Sequence, residues 1–284
     1  MGAMRGDLAV ITGATGGLGG ACAARFAPTH RLLITDVDDG RLEEAAERLR
    51  ASGAEVDTLA CDLTDPAQVE RLASAAEQAG RIQAIVNAGG LSPSMADAWR
   101  IIDVNLFGTL NLLDAFVPRV GPGAAAVCIA SMVGGRRGMH QFDQLLADPR
   151  ADDFRRRLTA EARIEGKPGR GYALSKRGVM LQVELRAAEW GKRDARLVSV
   201  SPGLIEDTPM GRLEADKGAS GLLAVAALKR HATAGDIADA CAFLASPHAR
   251  CVTGTDLLVD GGAVPGFFLH ADPAVAAAWD DPDY

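Results

Sequence analysis

The chain lacks an excess of positive charge. It carries 30 Lys and Arg against 37 Asp and Glu, a formal charge of −7, so it has no basic stripe for a phosphate backbone and nucleic acid is not an expected partner. Even Arg155-Arg156-Arg157 reads as the solvated face of a helix. Cysteine is sparse: Cys22, Cys61, Cys128, Cys241 and Cys251 are odd in number and scattered, without metal-ligand spacing. Reduced thiols in a cytoplasmic protein are expected, with no metal. No apolar run approaches a membrane-spanning length and no charged-then-apolar leader opens the chain, so no membrane partner is expected either. Neither a repeat period nor a low-complexity linker divides the sequence.

What is present is an ordinary globular mixture, 48% hydrophobic and 24% charged. Its 284 residues suit a single large α/β domain, 1–284. Strand-like apolar runs are predicted at Leu8–Thr12, Arg31–Asp36, Glu55–Ala60, Arg81–Asn87, Ala124–Ser131, Ala195–Ser201 and Thr255–Val259. Helices alternate with them at Gly17–Phe26, Asp39–Ala51, Pro66–Ala79, Ala98–Val120, Gly171–Trp190 and Ala234–Ala245. Continuous apolar strands between amphipathic helices imply strands buried on both faces, hence a parallel sheet. The fold class is therefore α/β, a doubly wound Rossmann-type domain whose ligand crevice lies beyond the carboxyl ends of the strands. Three stretches break the rhythm: an insert at 132–170, a loop at 204–233 and an acidic tail at 267–284. Substrate selection is expected there, because loops at strand ends carry function.

Three constellations carry chemistry. Thr12-Gly13-Ala14-Thr15-Gly16-Gly17-Leu18-Gly19 joins a strand to a helix, where glycines let the backbone approach a pyrophosphate and the helix N-terminus offers unpaired N–H groups. Asp36 closes the second strand, 23 positions after Gly13. A carboxylate there can accept from both ribose hydroxyls and repels a 2′-phosphate, and neither 14–18 nor Val37 and Asp38 supplies a base for that phosphate. NAD(H) is the cofactor so implied. A cap on the following helix is the bland alternative for Asp36. Tyr172 and Lys176 sit at i and i+4 of a helix, so phenol and ammonium share a face. A tyrosine of pKa near 10 lacks about 4 kcal/mol for ionisation at neutral pH. A lysine charge about 4 Å away offers about that much at an effective dielectric near 20.

The glycine turn and Asp36 are followed in order by Asp62-Leu63, Asn87-Ala88-Gly89, Asn105, Ser131, the Tyr172/Lys176 pair, Pro202-Gly203 and Val259-Asp260-Gly261-Gly262. Over about Asp7 to Gly262 the set resembles the short-chain dehydrogenase/reductase family. The resemblance implies Tyr172 as general acid/base, Ser131 as hydrogen-bond donor to the substrate oxygen, and Lys176 as the group that lowers the tyrosine pKa and holds the nicotinamide ribose. It implies that Asn105 supports a proton-conducting water, that Asp62 and Leu63 flank the adenine, and that Asn87, Ala88 and Gly89 line the adenosine side. Pro202, Gly203 and Ile205 would fix the carboxamide. The family's threonine after Pro-Gly is matched by Thr208, displaced by Glu206 and Asp207.

Ser131 and Tyr172 lie 41 positions apart, more than a short loop requires. Together with Trp190-Gly191 and Asp207-Thr208-Pro209-Met210, this long insert resembles the bacterial 3α-hydroxysteroid dehydrogenase/carbonyl reductase branch, which implies a steroid or another bulky apolar alcohol or ketone. Within the insert, Phe142, Leu145, Leu146, Phe154, Leu158 and Ala162 recur at helical spacing. One or two helices are predicted, walling the substrate pocket and presenting Met139 or Phe142 to an apolar ligand. They should also obstruct the helical face through which many family members form tetramers, leaving a homodimer near the last strand, with a homotetramer as the alternative. The competing functions are an acyl-thioester ketoreductase, which would prefer NADPH, and a catalytically silent NAD-binding protein.

Overall fold

The computed structural model describes residues 7–215 and 222–270. Its seven strands are β1 (Asp7–Thr12), β2 (Arg31–Thr35), β3 (Val56–Thr58), β4 (Arg81–Asn87), β5 (Ala125–Ile129), β6 (Arg196–Pro202) and β7 (Asp256–Val259). They form one sheet in the order β3-β2-β1-β4-β5-β6-β7, with every neighbouring pair parallel. The chain walks outward from β1 to β3 and then starts again at β4 on the other side of β1. That reversal creates a topological switch point at the carboxyl ends of β1 and β4.

Residues along β1 alternate between two cores. Leu8 and Val10 enter one, Ala9 and Ile11 the other, and all four are fully buried. This is why the strand reads as an unbroken apolar run: helices cover both faces, so no position faces water. α3 (Pro66–Ala79), α5 (Gly108–Phe116) and α8 (Pro168–Gly191) cover one face, and α1 (Gly17–Phe26), α2 (Asp39–Ala51) and α11 (Ala234–Ala245) the other.

The boundaries of α1, α2, α3, α11 and β4 coincide with those read from the sequence. Local chemistry explains several of them. Asp38 caps α2 by accepting from the Arg41 N–H, Asp65 caps α3 ahead of Pro66, and Thr233 forms a reciprocal capping box with Asp236 on α11. The other elements shift at one or both ends, α8 starting at Pro168 and β5 ending at Ile129, and two of them stand out. β3 is three residues rather than six. The helix expected over Ala98–Val120 ends at Phe116 and contains a π-helical turn, Asp103–Phe107, between α4 (Ala98–Ile102) and α5. A π turn inside a helix often marks a functional site, and this one carries Asn105.

The insert is folded. Two 3₁₀ turns, Met132–Gly135 and Arg137–Phe142, lead to α6 (Asp143–Leu146) and α7 (Phe154–Ala162). Its apolar stripe forms a third core with Ala98, Ile102, Leu106 and Leu110 on one side and Ala173, Leu174 and Leu181 of α8 on the other. Polar ties pin it there: the Arg177 guanidinium donates to both Asp143 carboxylate oxygens at 2.7 and 2.6 Å, and Arg155 pairs with Asp103 while stacking on Trp99. The insert therefore covers α4 and α8 as far as Leu181, while Leu185 further along α8 is 54% exposed. Within the 204–233 loop, α9 (Pro209–Ala215) and α10 (Leu222–Val225) flank 216–221, which fall outside the described residues. α12 (Ala263–His270) begins before the expected tail, and 271–284 also fall outside the described residues.

Candidate active site

A parallel sheet points all its carboxyl ends the same way, and here they open into one cleft of about 1710 Å³. A single drug-sized ligand occupies about 300–1000 Å³, so the space suits a dinucleotide together with a second molecule.

The glycine turn forms the floor at the switch point. Gly13 has φ +64°, and a Cβ on it would stand 2.7 Å from the Gly89 backbone; one on Gly17 would stand 2.8 Å from the Thr208 side chain. The turn is thus a cradle that side chains would fill. Gly16, the residue preceding α1, supplies no capping side chain, so the first N–H groups of α1 stay available for phosphate. Thr15, Gly16, Gly17, Leu18 and Gly19 all line the cleft.

Asp36 lies at the adenosine end of this floor. One carboxylate oxygen accepts from the Thr15 N–H at 3.0 Å and hydroxyl at 2.6 Å, and the other from the Val37 N–H at 2.8 Å. Residues 14–18, 37 and 38 offer no base beside it. The structure brings one from further along: Arg41, one turn into α2, lines the cleft and donates to the Thr15 carbonyl at 3.4 Å.

Asp62 and Leu63 line the cleft. Burial works against the Asp62 charge, but two hydrogen bonds from Thr64 and the nearby Arg100 guanidinium, 3.5 Å away, hold its carboxyl below the usual range. Ala88 and Gly89 also line it. Asn87 does not, which corrects the expectation for that residue: it is 3% exposed and points inward, accepting from Thr12 Oγ1 at 2.7 Å and donating to Thr109 Oγ1 at 2.8 Å. Its amide ties β1, β4 and α5 together beneath the floor, because a buried amide must satisfy both ends.

Ser131 follows β5 in an extended conformation, and its carbonyl accepts from the Gly134 N–H at 2.9 Å. A Cβ on Gly134 would lie 2.8 Å from the backbone at Lys176 and Arg177, so only glycine lets this turn lie against α8. That close approach brings Ser131, Tyr172 and Lys176 to the same part of the cleft wall. Lys176 Nζ donates to the Ile129 carbonyl at 2.8 Å and stands 5.6 Å from the centre of the Tyr172 ring. Burial pulls the Lys176 pKa down to about 8, and it pushes the Cys128 thiol beneath up to about 12.

Asn105 is 1% exposed and behind the lining. Its side-chain oxygen accepts from the Leu91 N–H at 2.8 Å, and its amide donates to the Leu91 carbonyl at 3.0 Å and to Ser175 Oγ at 3.1 Å. The π turn thereby fixes the loop after β4 against α8. Pro202, Gly203, Ile205 and Thr208 also line the cleft, Thr208 against Gly17, and the Thr208 hydroxyl accepts from the Gly211 N–H at 3.0 Å.

The insert meets the cleft differently from the expectation. Met139 and Phe142 are buried in the third core, 1% and 6% exposed, facing α4 and α8 rather than a ligand. The residues that reach the cleft are Met132, Val133 and Arg136, in the turn immediately after Ser131, and Gly169 at the insert's other end. A helical stripe announces that residues are buried; it does not say whether protein or ligand covers them.

The chain matches two family models, short chain dehydrogenase over residues 7–142 and Enoyl-(Acyl carrier protein) reductase over 158–264. It is 33% identical to a short-chain dehydrogenase/reductase of Alternaria brassicicola, over 90% of this chain and 94% of that protein. It is 32% identical to the 3-alpha-hydroxysteroid dehydrogenase/carbonyl reductase of Comamonas testosteroni, over 63% of this chain and 71% of that one. The fold superposes on a short-chain dehydrogenase/reductase from Brucella melitensis with a TM-score of 0.74 and 25% identity, covering 93% and 99% of the two chains. An oxidoreductase site on a Rossmann-type sheet, matched along nearly its whole length, places this chain in the short-chain dehydrogenase/reductase family.

Proposed function

We propose that the protein transfers a hydride between NAD(H) and a secondary alcohol or ketone with a bulky apolar body. The observation that carries this reading is the convergence of Ser131, Tyr172 and Lys176 on one wall of a cleft whose other end is Asp36 and the glycine turn. When bound, the nicotinamide supplies the hydride acceptor or donor.

The chain's own residues do the rest. Ser131 Oγ donates to the substrate oxygen, and Tyr172 Oη takes the carbinol proton in oxidation and returns it in reduction. The Lys176 ammonium lowers the cost of the phenolate next to it and reaches the cofactor's ribose hydroxyls. With a pKa of about 8 it is mostly charged at neutral pH yet able to release a proton. Asn105 acts as a positioning residue that holds the Leu91 loop and α8 in register and supports a water for proton exchange. The glycine turn holds the pyrophosphate, Asp62 and Leu63 flank the adenine with Ala88 and Gly89, and Pro202, Gly203, Ile205 and Thr208 hold the carboxamide.

Asp36 favours NAD(H), since its carboxylate both accepts from ribose hydroxyls and repels a 2′-phosphate. Arg41 beside it favours a second reading, an acyl-thioester ketoreductase that uses NADPH. A screen of steroid, terpenoid, aromatic and aliphatic secondary alcohols with NAD and NADP, run alongside acyl-thioester ketones with NADH and NADPH, separates the two. Activity confined to thioesters with NADPH would overturn the first reading, and absence of turnover throughout would point to a silent NAD-binding protein.

The expected assembly is a homodimer through the β7 edge. Successive strand residues face opposite sides of a sheet, and here Leu257 and Leu258 are 36% and 39% exposed, so both faces lack cover at this edge. The insert covers α4 and the first half of α8. Solution mass tests this: a tetramer surviving Leu258→Asp would refute it.

A further inference from the structure

We propose that the insert sets the adenine wall of the cleft through a hydrogen-bonded path from Arg150 to Asn111 to Leu63, and that Asn111 is a positioning residue for dinucleotide binding. The inference deepens the dehydrogenase reading, and it rests on that reading for the place where the adenine lies.

Leu63 belongs to the cleft lining, and its backbone lies directly on α5. A Cβ on Gly108, the first residue of α5, would stand 3.0 Å from the Leu63 Cβ and 3.6 Å from its carbonyl oxygen, so glycine is what lets the two segments meet. From this contact Leu63 reaches toward Gly89, where an added Cβ would stand 3.2 Å from its Cδ1. One turn along α5, Asn111 Nδ2 donates to the Leu63 carbonyl at 2.9 Å. Asn111 is 7% exposed, and its Oδ1 accepts from Arg150 Nη2 at 3.0 Å. Arg150 lies in the insert, between α6 and α7. The same nitrogen donates to Asp114 Oδ2 at 2.6 Å, and Asp114 Oδ1 pairs with Arg186 of α8 at 2.8 Å.

The chemistry allows this amide one orientation. A guanidinium only donates and a peptide carbonyl only accepts, so Oδ1 must face Arg150 and Nδ2 must face Leu63. The two bonds act in series, because the cation polarises the amide and strengthens its N–H toward Leu63. Without Arg150 the buried oxygen loses its partner, and the amide is no longer held in the orientation that Leu63 needs. Asp114 steadies Arg150 from the side and is itself held by α8. The neighbouring Asp62 is tied separately, its N–H to Gln68 Oε1 of α3 at 3.0 Å and its carboxylate to Thr64. Asn111 therefore governs the apolar half of this wall and leaves the carboxylate half to other partners. The path ends at Leu63, so its effect belongs to ligands that carry adenine.

The probes are ADP-ribose, which carries the adenine, and nicotinamide mononucleotide, which lacks it, with Kd read by calorimetry. Loss of one buried hydrogen bond is worth about three- to tenfold. Asn111→Leu, close in volume, should weaken ADP-ribose by about fivefold, and Arg150→Met, at a half-exposed position, by about threefold. Nicotinamide mononucleotide should change by less than about 1.5-fold in both. Because the bonds act in series, the double variant should bind ADP-ribose no more weakly than Asn111→Leu alone, and Arg150→Lys should recover most of what Arg150→Met loses. Without ligand, amide hydrogen exchange at 62–65 should quicken in Arg150→Met. Equal weakening of the two probes overturns the proposal. So do losses that multiply in the double variant, or an Arg150→Met protein that binds ADP-ribose as tightly as wild type. If ADP-ribose fails to bind the wild-type protein while exchange at 62–65 still quickens in Arg150→Met, the path from the insert stands and the dinucleotide reading falls; if exchange is unchanged as well, both fall.

Discussion

Replacing Lys176 with methionine should make the protein more stable and inactive at once. The lysine is 6% exposed and its pKa falls from 10.5 to about 8 because burial penalises the ammonium. A shift of that size corresponds to about 3 kcal/mol of unfavourable burial. Below pH 8 the group is charged in both folded and unfolded chains, so this cost is present in full. Between about pH 8 and 10.5 the folded protein sheds the proton first while the unfolded chain keeps it, so stability rises with pH by about 1.4 kcal/mol per unit. Methionine nearly matches the lysine stem and removes the charge, at the loss of the bond to the Ile129 carbonyl, about 1 kcal/mol. The net expectation for Lys176→Met is a gain of about 2 kcal/mol at pH 7, which closes to near zero by about pH 9.5 as the wild-type protein catches up. Guanidinium unfolding of both proteins at pH 7, 8.5 and 9.5 reads this directly. It is run without dinucleotide, because a ligand held by Lys176 would stabilise the wild-type protein by mass action. Turnover should fall by at least about a hundredfold. A variant less stable than wild type at pH 7, or a stability gap that does not change with pH, would refute the argument that buried charge is being carried for catalysis.

Tyr172→Phe removes only the transferable proton; kcat should drop by about three orders of magnitude while the dinucleotide Kd, read by fluorescence, stays within a few-fold. Asp36→Ala should weaken NAD(H) by about tenfold and narrow the gap to NADP(H), and adding Arg41→Ala should widen it again, since Arg41 would be the base receiving the 2′-phosphate; a double variant indistinguishable from Asp36→Ala removes Arg41 from cofactor selection. Phe154→Ala empties a fully buried site that meets Phe107 edge-on at 5.8 Å, so unfolding free energy should fall by about 3–5 kcal/mol; a loss under 1 kcal/mol would mean that the insert does not belong to the cooperative core.

Much of the scaffold was already readable along the chain, for a local reason. Asp38, Asp65 and Thr233 cap the helices that follow them, and each cap needs only neighbours three residues away. Strands covered on both faces declare themselves as unbroken apolar runs, and the glycine turn, Asp36, Ser131 and the Tyr172/Lys176 pair sit where those runs end. The tertiary structure alone decided which side of each element meets the cleft. Asn87 follows the same motif as Ala88 and Gly89 yet points down into the Thr12 and Thr109 hydroxyls, because the side chain at the last position of β4 falls on the inner face. The insert's stripe was visible, but its partner was not: Met139 and Phe142 are taken up by α4 and α8, while Met132, Val133, Arg136 and Gly169 line the cleft. Arg41, Arg100 and Arg136 look like surface arginines in sequence and become cleft residues only when separate loops are drawn to one edge of the sheet. Short-range chemistry is written in adjacent residues, whereas the lining of a pocket depends on contacts between segments far apart in the chain.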